Sequence, residues 1–304
     1  MNETFHKIEA KKRGNALGFW FFKTTLKLFG LSGAYGLLYG VALHYALFDK
    51  PARAGALAYI KRRFPGSSGM VNFVHTYRLF INQGKQLIDR FACISGQVEF
   101  DMRLEGYDEL MKLVAGGKGF VLLTSHTGNW QIAMTALSKI DKPVYLVMRP
   151  EDNRAVSESL KIGADNNRIK IISPEQYLGG VVEIMNALSA GAIVAIMGDR
   201  RYGFDGIDVQ FLGKPALLPY GAFVIAANAR CPVVVLESAK LGPRRYDVNV
   251  THTIQPRLER GRDKKEQLRV FVQEYSNILE SFVKKYPYQC FLFHDIWQAQ
   301  MIAD

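Results

Sequence analysis

From residue 121 to 254, short apolar runs alternate with stretches of helical spacing, and this rhythm leaves the chain few architectures. Val121–Thr124, Val144–Met148, Ile169–Ile172 and Ala192–Met197 read as strands. The segments near 131–137, 155–166 and 177–190 read as the helices between them. A helix over 220–229 and strands over 233–238 and 246–254 follow. Runs that are apolar throughout, rather than alternating, belong to strands covered on both faces. The predicted fold is therefore α/β: a largely parallel central sheet covered by helices. The clearest helix spans 265–286, with Leu268, Phe271, Tyr275, Ile278 and Phe282 on one face. Upstream, residues 71–89 and 110–115 have helical spacing, and 97–104 alternate like a strand. Residues 51–63 predict a helix closed by Pro65-Gly66. No Pro/Gly-rich linker divides residues 90–304. We divide the chain into an N-terminal helical region, 1–65, and an α/β domain, 66–304.

The N-terminal region has a different character. Leu28 to Phe48 is a run of 21 residues without Asp, Glu, Lys or Arg, long enough to cross a bilayer core. Gly30, Gly33, Gly36 and Gly40 recur within it at spacings that can form a close helix-packing face. Six basic residues precede the run, interleaved with Phe19, Trp20, Phe21 and Phe22. That mixture suits a lipid headgroup boundary. Membrane attachment is the expectation, whether spanning or interfacial; the alternative is a glycine-rich core helix of a soluble domain. The formal charge of +11 adds an attraction for anionic partners. No zinc finger, RNA-binding signature or phosphate-binding loop accompanies that charge, so nucleic acid is not the expected partner. Cys93, Cys231 and Cys290 lie far apart without metal-ligand spacing and read as free thiols.

The segment Ser125-His126-Thr127-Gly128-Asn129-Trp130-Gln131 ends the first strand of the α/β region and opens a helix. A histidine at such a junction can act as a base beside exposed backbone N–H groups. Its alternative role is to cap the helix or satisfy a turn. These residues resemble the first signature of the lysophospholipid acyltransferase superfamily, a histidine followed five positions later by Asp or Glu. The Gly-Asn-Trp core is most similar to the bacterial branch that acylates lipid A and related lipids. The resemblance runs from about residue 14 to 297 and departs at one position, where Gln131 replaces the carboxylate.

In such a dyad the histidine takes a proton from an acceptor hydroxyl, which attacks a thioester carbonyl. The carboxylate holds the imidazole tautomer and stabilises the imidazolium. The amide carbonyl of Gln131 can orient the ring but supplies no charge. Gly198-Asp199-Arg200-Arg201 follows another strand and, in a parallel sheet, lies on the same edge as His126. Asp199 is the candidate for the missing charge; its other possible partners are the adjacent arginines. Arg200 and Arg201 suit a phosphate or phosphopantetheine group. Arg149 can meet an anionic group bidentately, or pair with Glu151 or Asp152. Phe211 to Pro219 resembles a later family block, read here as a rigid extended loop in which Lys214 adds charge. Asn129 joins the substrate-binding candidates, and backbone N–H groups of residues 127–129 are candidate oxyanion donors. His294-Asp295 does not form a second dyad, because neighbours in an extended run point to opposite faces; its segment reads as a structural closure.

The resemblance implies acyl transfer from an acyl carrier protein or coenzyme A thioester to a lipid hydroxyl. It implies no metal, and a place on the cytoplasmic face of the cell inner membrane. Catalytic residues would be His126, Gln131 and Asp199. A thioester hydrolase and an inactive lipid-binding scaffold are the alternatives.

Overall fold

The computed structural model describes residues 16–137, 140–148, 169–175, 180–201 and 206–297. The helix expected near 155–166 and the candidate Arg149 lie outside them. The chain opens with three helices, α1 (Ala16–Phe48), α2 (Lys50–Arg63) and α3 (Gly69–Ile94). Next come β1 (Asp101–Glu105), α4 (Tyr107–Ala115), β2 (Phe120–Thr124), α5 (Trp130–Ala136), β3 (Val144–Val147) and β4 (Ile169–Ile172). Then follow α6 (Val181–Ser189), β5 (Ile193–Met197), β6 (Gly206–Phe211), β7 (Lys214–Pro219) and α7 (Gly221–Ala229). The last elements are β8 (Val233–Val235), β9 (Glu237–Lys240), β10 (Arg245–Asn249), β11 (Thr253–Ile254) and α8 (Lys264–Lys285).

Among the described residues the largest sheet has the order β11-β8-β2-β5-β3-β4. Its strands are parallel except β11, which runs antiparallel to β8. The sheet is buried on both faces, as the unbroken apolar runs predicted. Val121, Leu123, Val194 and Val233 pack with α6, α7 and α8 on one side. Phe120, Leu122, Ile193 and Val234 pack with α4 and α5 on the other. Two predicted strands are each split. Residues 233–238 change sheets near Leu236, giving β8 and β9, and residues 246–254 divide into β10 and β11. The smaller sheet, β1-β10-β9, takes the alternating segment, of which only 101–105 is strand.

The block from Phe211 to Pro219 is not a loop. It forms the turn and second strand of a β6–β7 hairpin paired from Gly206↔Pro219 to Phe211↔Lys214. Leu212 and Gly213 both adopt positive φ, 53° and 71°, as a two-residue hairpin turn with the twist of its strands requires.

α1 departs from a straight span. Gly30, at φ 63° and ψ −163°, breaks it into two helical halves. Leu26, Leu31, Ala34, Tyr35 and Leu38 are buried with Ile88 and Ala92 of α3. The glycine face expected on α1 is not the contact: a side chain at Gly36 or Gly40 would meet nothing within 4 Å. The close approach uses a glycine of the partner helix instead. A β-carbon on Gly84 would sit 2.2 Å from Leu38 Cδ1. The opposite side of α1 exposes Trp20, Phe21, Leu28, Phe29, Leu43, Leu47 and Phe48.

Candidate active site

Strand register brings the two ends of the site together. In the β2–β5 pair Thr124 is opposite Met197, so the residues two positions beyond, His126 and Asp199, emerge side by side. β2 is followed by α5 on one face of the sheet, and β5 leads by way of the hairpin to α7 on the other. Diverging connections from adjacent parallel strands open a crevice at their carboxyl ends, where ligands of such sheets collect. Gly198 keeps the passage narrow: a β-carbon there would lie 2.7 Å from Leu123 Cδ1.

His126 Nδ1 donates to Asp199 Oδ1 at 2.9 Å, and its backbone N–H donates to Oδ2 at 2.5 Å. This pairing fixes the proton on Nδ1 and leaves Nε2 as the basic nitrogen. The Asp199 side chain is 1% exposed and that of His126 is 22% exposed. Burial pushes the Asp199 carboxyl up. The facing His126 charge, the two hydrogen bonds from His126 and the charge of Arg200 outweigh it and hold the carboxyl below its ordinary value.

Gln131 is turned elsewhere. Asn129 caps α5, its side chain accepting from Ile132 N–H at 3.4 Å, which puts Gln131 in the first turn facing α3. There its Oε1 accepts from Arg90 Nη1 at 2.7 Å. Burial lowers the basicity of the Arg90 guanidinium. The expected contact from Gln131 to His126 is thus replaced by one to Arg90. Asn129 is occupied at both ends of its amide, since Nδ2 donates to Gln86 O at 3.0 Å. Its contacts are those of a cap and a brace, not of a free substrate ligand.

The turn after His126 is pinned by the C-terminal segment. Gly128 N–H donates to Gln289 O at 2.7 Å, and Phe291 N–H donates to His126 O at 2.8 Å. Gly128 has φ 59°, and a β-carbon there would lie 1.5 Å from Ser238 O, so the position admits only glycine. Thr127 N–H is bonded to Ser125 Oγ at 3.3 Å. Of the expected oxyanion donors, those of Thr127 and Gly128 are therefore already engaged.

A cavity of about 160 Å³ opens at the dyad's end, beside Thr124, Gly198 and Arg200. It continues between apolar side chains that include Trp130, Leu146, Met148, Ile184 and Ile225. Arg200 lines it, with Nε buried and without a hydrogen-bond partner. Arg201 lies half-buried against Gly206. Lys214 does not join them. It is exposed at the turn end of the hairpin, five residues and about 17 Å along the strand from the cavity-lining Pro219.

Two residues of this region escaped the sequence reading. Arg90 belongs to a helix distant in sequence, and no motif marks it. His294 was set aside with its neighbour. The alternation argument holds for Asp295, which turns away to Arg62 at 3.6 Å. His294 turns inward: the charges of Arg200, Asp199, His126 and Arg201 all act on its ring.

A family model described as bacterial lipid A biosynthesis acyltransferase matches residues 26–299. Phosphatidylinositol mannoside acyltransferases from two strains of Mycobacterium tuberculosis are 27% identical over 142 residues, which cover 43% of this chain. The chain spans 42% of the length of those curated relatives.

Proposed function

The chain belongs to the bacterial lipid A biosynthesis acyltransferase family, and on that premise we propose that it moves a fatty acyl group from a thioester to a lipid hydroxyl. The observation that carries the reading is the Nδ1–Asp199 pairing beside an apolar cavity. His126 Nε2 takes the proton of the acceptor hydroxyl as its oxygen forms a bond to the thioester carbonyl carbon. The carbon–sulfur bond then breaks, and the imidazolium returns the proton to sulfur. Asp199 keeps the tautomer and stabilises the imidazolium. The cavity receives the acyl chain, and Arg200 and Arg201 meet polar or anionic groups at its mouth. The donor is an acyl carrier protein or coenzyme A thioester. The acceptor is a lipid A-like lipid or another membrane glycolipid.

The same reading places the chain at the cytoplasmic face of the inner membrane, held by α1. Its exposed apolar side and the nearby Lys23 and Lys27 support attachment to an anionic lipid surface. The break at Gly30 and the packing on α3 favour a helix lying in the interface over one crossing it.

The test is transfer of labelled acyl groups from acyl carrier protein into total membrane lipid. Label should enter one lipid class with wild type and not with His126→Ala. Label released only as free fatty acid would mean a hydrolase, and no turnover in a folded, donor-binding protein would mean a scaffold.

Gln131 gives a second, sharper outcome. Because its amide faces Arg90, Gln131→Glu creates a buried charge-assisted pair instead of a catalytic carboxylate. The expected gain is about 1 kcal/mol of stability, or roughly 2 °C in Tm. Acyl transfer should stay within about threefold of wild type. A tenfold rise in turnover at unchanged Tm would instead assign Gln131 to His126.

A further inference from the structure

Two polar atoms beside the dyad are sealed from solvent and have no hydrogen-bond partner: Nε2 of His294 and Nε of Arg200. An orphaned buried donor costs on the order of 1–3 kcal/mol, so two in one site call for a group that satisfies them. His294 does not sit there by slack packing. Its segment is fixed on one side by the Phe291 N–H bond to His126 O, and on the other by Leu217 N–H to Ile296 O, both 2.8 Å. Trp297 Nε1 adds a bond to Phe211 O at 2.9 Å. The backbone of Phe293 lies so close to Gly55 that a β-carbon there would meet its carbonyl oxygen at 2.4 Å. Burial, then the charge of Arg200, pushes the His294 ring down to about 4, with Arg201 and His126 assisting against Asp199. The ring is therefore neutral near pH 7, and its Nε2 is free to carry a proton for donation without adding a buried charge beside the dyad.

We propose that His294 is a catalytic residue of this site: its Nε2–H and the Nε–H of Arg200 donate to the carbonyl oxygen of the acyl thioester and hold the negative charge that develops there. The inference rests on the acyl-transfer reading. It adds donors to a turn in which the N–H groups of His126, Thr127 and Gly128 are already committed within the protein. When the acceptor oxygen adds to the carbonyl carbon, the π pair moves onto the carbonyl oxygen between these two donors. It returns as the carbon–sulfur bond breaks. Neither donor gains or loses a proton, so both serve every turnover unchanged.

The test compares wild type, His294→Leu, His294→Gln and His126→Ala, with folding followed by thermal unfolding. One readout is palmitoyl transfer from coenzyme A and carrier-protein thioesters into membrane lipid. His294→Leu should lose about a hundredfold in kcat with the donor KM within about threefold, and His294→Gln should recover much of the loss. The other readout is the infrared carbonyl band of bound 2-oxoheptadecyl coenzyme A, an unreactive ketone analogue. It should lie at lower frequency in wild type and His294→Gln than in His294→Leu. Transfer by His294→Leu within threefold of wild type, or one band position in all variants, overturns the proposal. A wild type that transfers nothing yet shows the His294-dependent band sinks the acyl-transfer reading and leaves the carbonyl site standing. Neither transfer nor band shift sinks both.

Discussion

Asp199→Asn should lower kcat for acyl transfer by about a thousandfold or more while leaving the KM for donor nearly unchanged. The carboxylate has two jobs at once, accepting from the His126 ring and from its backbone N–H. In the amide, the oxygen keeps the backbone bond and the NH₂ turns to the ring. An NH₂ can only donate, so Nδ1 loses its proton and Nε2 acquires one. The base is then blocked at the atom that must accept the hydroxyl proton. The variant should fold, because shape and one hydrogen bond are kept. The loss in stability should itself depend on pH. A carboxyl held below its ordinary value contributes stability that is complete above about pH 4 and lost as pH falls through the folded-state value. Wild type and Asp199→Asn should therefore converge in thermal stability in strong acid. Turnover within tenfold of wild type would remove Asp199 from the proton path.

The pairing in that prediction was legible in part because it depends on local signals. Apolar runs identify β2 and β5, and a parallel sheet puts the residues after them on one edge, so His126 and Asp199 could be nominated together. Register, which the runs do not encode, turned proximity into contact. Gln131 was misdirected for the opposite reason. Its position in the motif points to His126, but its partner Arg90 lies 41 residues upstream on α3, and packing of two helices decides between them. The hairpin was missed because Leu212-Gly213 lacks the Asn-Gly or Asp-Gly signal of such turns, and Pro215 and Pro219 read as loop residues. His294 shows how far a sound local argument reaches. Alternation predicted that it and Asp295 part company, but only the path of the closing segment shows which of the two enters the site. On α1, glycine spacing indicated a helix contact and named the wrong surface, since Leu38 of α1 meets Gly84 of α3.

The largest stability effect is expected away from the catalytic atoms, at Asp89. Its side chain is fully buried and accepts from Lys240 Nζ at 2.5 Å and from the hydroxyls of Tyr35 and Tyr246. Four elements meet in it: α1 through Tyr35, α3 through Asp89, β9 through Lys240 and β10 through Tyr246. Gln289 extends the network, bonding the backbone of Lys240 in both directions and the side chain of Gln86. Burial pushes the Asp89 carboxyl up and the Lys240 ammonium down, and their mutual attraction opposes both. Lys240→Met removes the opposing charge and leaves the carboxylate enclosed, at a cost of about 3–5 kcal/mol, or roughly 6–10 °C in Tm. Asp89→Asn with Lys240→Met should return most of that loss, because an amide oxygen still accepts from the tyrosines and no charge is buried. The sign with pH follows. In Lys240→Met the folded state holds the Asp89 proton more tightly than the unfolded chain does, so the variant gains stability relative to wild type as pH falls toward 5. A double variant as unstable as Lys240→Met would mean that the lysine acts through its ammonium over the rings of Tyr35, Phe100 and Tyr246. The pair with Asp89 would then have no part in holding α1 against the sheet.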